Sequence, residues 1–140
     1  MGKEIDQWLG HPYIASLIYV SVAVFSLIVF LSIFELVTRY RTWDEIKKGN
    51  LAVAMATAGK IFGICNIFRF SIAMQDSVYE SLIWSAYGFV LLLAAYFLFE
   101  FLTPVFRIDE EIASDNRAVG FIAMVISISL SYVIGATVSL

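Results

Sequence analysis

Four long apolar runs, separated by short charged segments, dominate the chain. The runs cover residues 13–37, 50–73, 82–102 and 118–140. Each is long enough to cross ~30 Å of hydrocarbon as a helix of ~20 residues. Because backbone groups find no water inside a bilayer, each run is expected to be helical. The pattern therefore predicts an all-α membrane protein with four transmembrane helices.

Composition supports this fold class and excludes several others. The 140 residues are 61% hydrophobic and 15% charged, whereas soluble domains carry about 25% charged residues. Nine basic residues against 12 acidic ones argue against a nucleic-acid partner, and a single cysteine excludes a disulfide scaffold. The loops are too short for a separate soluble unit, so residues 1–140 are interpreted as a single membrane domain.

The basic residues predict an orientation. Most of them lie in the first and third loops, and such loops stay in the cytoplasm. Both termini are then expected outside, in a multi-pass plasma-membrane protein. The basic side chains predicted to contact lipid or a partner protein are Arg39, Arg41, Lys47, Lys48 and Arg69. For Arg69, the alternatives are an ion pair with Asp76 or Glu80 and contact with a lipid phosphate.

A motif occurs twice in the chain. The sequence Glu-Ile-x-x-x-Asn-x-Ala-Val starts at Glu45 and again at Glu111, which places Asn50 and Asn116 at equivalent positions. Upstream, residues 35–38 resemble residues 100–103. The simplest interpretation is a duplicated two-span unit, residues 13–73 and 78–140. Because each unit has two spans, the copies are expected to be parallel, related by an axis along the membrane normal.

This repeated motif, in a four-span chain of this size, resembles the YshE/YjfL-type small bacterial inner-membrane proteins. The resemblance covers the chain from about Tyr13 to its end. It implies this architecture and a bacterial plasma membrane, but no activity, because the family is a domain of unknown function. Some members are similar in gene setting to envelope-stress proteins, which is a hint of a partner.

The start of the second span carries helix-start signals. Thr42, three residues before Glu45, is typical of a capping box. Asn50 and Asn116 are expected near the hydrocarbon boundary. There each either bonds a neighbouring helix or loop carbonyl, or lines a cytoplasmic vestibule.

The most unusual polar residue is Lys60. It lies ten residues past Asn50, ~15 Å along a helix, near the bilayer centre, where an unpaired lysine costs ~2.5–3.5 kcal/mol on insertion scales. Glu100 has no basic residue within one turn and is its expected ion-pair partner, since Glu35 has Arg39 at i+4. Three alternatives remain: a structural pair, a pair on an ion or proton path, and a lysine that reaches the headgroups.

Rows of small residues predict close helix packing in the second and fourth spans. The packing positions are Gly59, Gly63, Ser127, Ser131 and Gly135.

No catalytic, cofactor-binding or metal-ligand pattern is found in the sequence, and Cys65 is interpreted as an apolar filler. Two functions remain. The first is a non-catalytic interaction protein for membrane integrity or envelope stress, which presents two cytoplasmic loops to a protein partner or to lipid. The second is a homo-oligomeric ion channel or small transporter with Lys60 near the path.

Overall fold

A computed structural model describes residues 2–74, 77–102 and 107–140 of the chain. All regular secondary structure in those ranges is helical. The seven helices are α1 (Gly2–Leu9), α2 (Pro12–Val37), α3 (Thr42–Lys47), α4 (Leu51–Met74), α5 (Val78–Leu102), α6 (Ile108–Ala113) and α7 (Arg117–Val138).

Four of these helices are long and apolar enough to cross a membrane. They are α2, α4, α5 and α7, which confirms the all-α class and the four spans predicted from the sequence. The short helices α3 and α6 fill the loops that follow α2 and α5. The third span begins at Val78, four residues earlier than its apolar run, because polar residues can extend a helix into the interface.

Helix α4 is the most buried of the four spans, and α7 packs against it in a parallel orientation. A side chain at Gly120 would meet the Ala52 backbone at 2.7 Å, and one at Gly59 would meet the Met124 Cα at 2.7 Å. The contacts occur in the same order along both helices, which shows that the helices are parallel. At these points a larger residue than glycine would keep the backbones apart. The small-residue rows therefore lie at a real helix contact, as Gly59 illustrates.

Two apolar clusters surround this pair of helices. In the membrane-spanning part, the Phe30 and Phe89 rings are stacked with their centres 4.3 Å apart. The Phe34 ring meets the Phe89 ring edge-on, with 5.4 Å between the ring centres. These contacts join α2 to α5. Beneath the loops, Ile108 and Ile112 of α6 are fully buried against the start of α4. The loop helices are thus packed onto the bundle.

Helix α2 keeps many of its large apolar residues on the outside. Leu17 is 68% exposed, Phe25 69% and Leu36 84%. In water such a surface would promote association, but in a bilayer it faces lipid tails that are equally apolar.

The two copies of the motif fold alike. The Asn50 amide donates to the Glu45 carboxylate at 3.2 Å, and the Asn116 amide donates to Glu111 at 2.8 Å. Each asparagine oxygen also accepts from the backbone N–H three residues later, which caps α4 and α7. Position 49 (glycine) and position 115 (aspartate) both have positive φ, at 86° and 61°.

The predicted capping box at Thr42 is wrong. Arg41 is the N-cap of α3 without a side-chain bond, and Thr42 is the first helical residue. Its backbone N–H donates instead to the Glu35 carboxylate at 3.1 Å. Glu45 is occupied elsewhere, by Asn50 and Lys48, so it cannot complete a box.

Candidate functional site

Lys60 lies inside the chain, near the loop end of the bundle. Its side chain is 5% exposed. The ammonium group lies over the rings of Phe34, Tyr96 and Tyr40, with Nζ 5.1, 5.3 and 5.7 Å from their centres. Such cation–π contacts stabilise a desolvated cation. Burial to this degree excludes the alternative in which Lys60 reaches the headgroups.

Asp109 of α6 is the buried acid of this site, with 1% exposure. One carboxylate oxygen accepts from the Arg39 backbone N–H at 3.2 Å, and the other accepts from the Tyr96 hydroxyl. A buried carboxylate needs such partners to offset its desolvation. Asp109 thereby joins α6 to α5 and to the loop after α2.

The charges of three acids converge on the same place. Asp109 and Glu35 act electrostatically on Lys60, and Glu100 together with these two acts on Tyr40. Burial first, and then these charges, raises the pKa of the Tyr40 phenol well above its usual value of 10.0. The Tyr40 hydroxyl is buried without a hydrogen-bond partner among the described residues, so it stays neutral.

A cavity of about 20 Å³ adjoins Lys60, Tyr96 and Ser127. That is room for one water molecule, which needs ~10–15 Å³ and two or more polar partners. The other walls are mostly apolar and include Phe34 and Ile112. The cavity is therefore a site for a single water and is too small for a larger solute.

The sequence pointed to Lys60, but Asp109 was expected only as one of several acids at a helix start and in the loop, not beside Lys60. The repeat held a signal for it: the residue equivalent to Asp109 in the first copy is Trp43, which is 61% exposed. An acid that replaces an exposed aromatic residue marks a place where the copies differ. The acids whose charge acts on Lys60 are Asp109 and Glu35. The Lys60–Glu100 pair predicted from the sequence therefore stays a prediction.

The pairing expected between Glu35 and Arg39 is replaced. Glu35 accepts from Thr42, while the Arg39 charge acts on Glu100. Arg39 and Glu100 line one recess on the loop side, together with Arg107.

Direct hydrogen bonds join the first loop and the start of α4 to the third loop, which contains α6. The Asn50 amide donates to the Ala113 carbonyl at 2.9 Å, and the Ala52 backbone N–H donates to Asp115 at 3.0 Å. With the Arg39–Asp109 bond, these contacts link segments that are distant in the sequence. The first alternative for Asn50, bonding to a loop carbonyl, is therefore realised. Asn116 bonds within its own copy.

Some of the predicted packing positions lie where helix backbones approach closely, and others form polar contacts. Gly63 faces Ser127 of α7, and Ser131 accepts a hydrogen bond from the Asn66 amide at 3.0 Å. Gly135 leaves room for the Phe70 ring. The predicted packing positions thus lie at or next to the contacts of α4 with α7.

The predicted basic contact residues of the first loop lie at its surface. Arg41 is 3.8 Å from Asp44, and Lys48 is 3.4 Å from Glu45. Surface pairs of this kind contribute ~0–1 kcal/mol, so these cations can exchange partners. Lys47 also lies on this exposed loop surface.

Arg69 lies on the other side of the bundle, where its guanidinium donates to the side-chain Oδ1 of Asn66 at 3.2 Å. Glu80, one of its predicted partners, is exposed, and among the described residues no ion pair joins the two. The other predicted partner, Asp76, lies outside the described residues.

In the ranges 2–74, 77–102 and 107–140, no group of three or more histidine, cysteine, aspartate or glutamate residues could hold a metal ion.

Comparisons with known proteins agree on a family. The chain is 61% identical over 118 residues to the UPF0719 transmembrane protein YshE of Bacillus subtilis (strain 168), which covers 84% of this chain and 88% of that protein. No solved structure matches. Residues 8–138 match the model of the Domain of Unknown Function DUF350. This confirms the resemblance drawn from the repeated motif, and the chain belongs to the DUF350 family.

Proposed function

We propose that this chain is a non-catalytic plasma-membrane protein that presents one joined docking face to a cytoplasmic partner, in the service of membrane integrity or the response to envelope stress. The observation that carries the proposal is the bonding of the two loops through Asn50, Ala52 and Arg39. Two loops held in fixed register form a single surface, which a partner can recognise without ordering it first.

The docking face, defined as the exposed charged residues of the loops around α3 and α6, carries both signs of charge. Its cations and anions form only short-range, exposed pairs, as between Arg107 and Glu110 at 3.0 Å. A partner with complementary charges can replace such pairs at little cost. The residues of the docking face are Arg39, Arg41, Asp44, Lys47, Lys48, Arg107, Glu110 and Arg117.

The proposal places the docking face in the cytoplasm. The loops hold six of the chain's basic residues, whereas Lys3 and Arg69 lie toward the opposite face, and the excess of basic residues favours the cytoplasmic side. Both termini then lie outside. The basic side chains would also contact anionic lipid, and the exposed apolar surface of α2 would serve association between copies.

A photo-crosslinking experiment tests docking. A crosslinking amino acid replaces Glu110 on the docking face or, as a matched control, Tyr79 at the opposite end, which is 73% exposed. We expect a discrete protein adduct only from position 110, and we expect Arg41→Glu with Arg107→Glu to abolish it. Equal adducts from both positions, or an adduct that survives the charge reversal, would contradict a docking role.

A second candidate function is conduction by an oligomer, with Lys60 on the path. Its supporting observation is the water-sized cavity beside Lys60. Against it, Lys60 is enclosed within one chain by three rings and is buried. Ion flux into liposomes discriminates the two: the docking proposal expects none. Flux whose selectivity changes in Lys60→Met would establish the channel.

A further inference from the structure

An apolar groove between α2 and α4 contains one charged residue. The groove has a volume of about 210 Å³ and opens to the outside of the bundle. Val24 and Leu27 form its α2 wall. On α4, its lining includes Ile64, Phe68, Arg69 and Ile72.

The guanidinium of Arg69 is held in place, but no described carboxylate neutralises it. It donates a hydrogen bond to Asn66, and its Cζ lies 4.9 Å from the centre of the Phe70 ring. The Asn66 amide is itself fixed by Ser131. An arginine has five N–H donors, and within the described ranges no carboxylate forms an ion pair with this one. In that part of the chain, Arg69 therefore keeps donors and charge that a ligand can use.

The position of Arg69 along α4 favours an anionic partner. It lies five residues before the end of α4 at Met74, ~7.5 Å along the helix. Its bond to Asn66 points the side chain back toward the N-terminus of α4, as helix geometry favours, and so away from the nearer membrane surface. An unpaired cation held below that surface is costly.

We propose that the groove binds one phospholipid of net negative charge, in the leaflet opposite the docking face. Its phosphate accepts from the N–H groups of Arg69, and an acyl chain lies along Phe68 and Ile64 toward the bilayer centre. A guanidinium matches a phosphate with two parallel hydrogen bonds. A zwitterionic lipid offers the same phosphate, but its own cation compensates the charge. This inference is independent of the docking proposal.

Cys65 provides a reporter for the test, because it lines the same groove and is the chain's single cysteine. A small fluorophore on Cys65 is quenched by lipids with brominated acyl chains. In mixed vesicles we expect brominated phosphatidylglycerol to occupy the groove about fivefold more strongly than brominated phosphatidylcholine, the ratio expected for one basic residue near an anionic lipid. The preference should vanish in Arg69→Gln and persist in Lys3→Gln, an exposed basic residue that lies toward the same face as Arg69 but outside the groove.

Three results would overturn the proposal. The first is equal quenching by both lipids in the unaltered chain. The second is loss of the preference when inorganic phosphate is added, which would indicate a site for the free ion. The third is a preference that develops only in Asp76→Asn, which would show that the chain's own carboxylate occupies Arg69.

A measurement on unlabelled protein guards against interference by the fluorophore. Native mass spectrometry of protein released from mixed-lipid nanodiscs should show one retained phosphatidylglycerol on the unaltered chain and on Lys3→Gln. Arg69→Gln should retain none. Retention that does not depend on Arg69 would contradict the proposed site even if the quenching preference were present.

Discussion

The strongest test of the buried site is a double-mutant cycle between Lys60 and Asp109. Asp109→Asn keeps the size of the side chain and an oxygen for the Arg39 N–H, but it removes the charge that acts on Lys60. The ammonium then stays buried among Phe34, Tyr40 and Tyr96 without this acid.

The expected magnitude follows from that burial. Removing one partner of a buried ion pair in direct contact costs about 3–5 kcal/mol. Among the described residues no ion pair joins Asp109 to Lys60, and the introduced amide would keep the backbone hydrogen bond, so a smaller loss of about 1–3 kcal/mol is expected for Asp109→Asn. Lys60→Met added to this variant removes the stranded cation and should restore part of the loss. The coupling free energy should reach about 1–3 kcal/mol.

The assay is unfolding of purified protein in mild detergent by an increasing fraction of dodecyl sulfate, followed by tryptophan fluorescence. The matched control is the cycle of Lys60→Met with Glu100→Gln, which should couple by less than about 0.5 kcal/mol. An additive Lys60–Asp109 cycle would refute the reasoning. A larger coupling to Glu100 would also refute it and would favour the pair predicted from the sequence.

Three further predictions concern the caps, the helix contact and pH. Asn50→Ala should lower the free energy of unfolding by about 2 kcal/mol and Asn116→Ala by about 1 kcal/mol, because Asn50 also bonds Ala113. Equal losses in the detergent assay would contradict this. Gly120→Ala should lower the free energy of unfolding by about 1–3 kcal/mol, because the added Cβ would lie 2.7 Å from the Ala52 backbone. Gly49→Asn should lower it less, because position 49 has open space and a φ that asparagine tolerates. The raised pKa of Tyr40 means that the folded state holds this proton more tightly than the unfolded state. The stabilisation from this proton is therefore fully present below about pH 10 and is lost as the pH rises above it. From about pH 10 to 11 the free energy of unfolding of the parent protein should fall by up to about 1.4 kcal/mol more than that of Tyr40→Phe. Parallel pH profiles of the two proteins would refute the assignment.

The parts of the fold that depend on local pattern could be predicted from the sequence. The four spans follow from run length and composition, since the bilayer fixes both requirements. The equivalence of Asn50 and Asn116 follows from the repeated motif, and their caps are local. Gly59 marks a close contact because small residues are what such contacts need.

The candidate site was less predictable because its members come from distant parts of the chain. Asp109 is buried only because α6 packs beneath Arg39 and Tyr96, and no local pattern shows that. The capping box at Thr42 was predicted wrongly because Glu35, seven residues away, takes its backbone N–H. Which acid faces Lys60 depends on the path of the loop, and spacing along helices cannot specify it.

We infer that the hydrogen bonds between the two loops hold them as one rigid docking face. It is tested by the distance between spin labels placed at Asp44 and Glu110, in a Cys65→Ser background in liposomes. We expect one narrow distance distribution in the parent protein and a broad one when Asp109→Ala and Asn50→Ala remove the contacts between loops. A broad distribution in the parent, or a narrow one that survives both substitutions, would contradict the account.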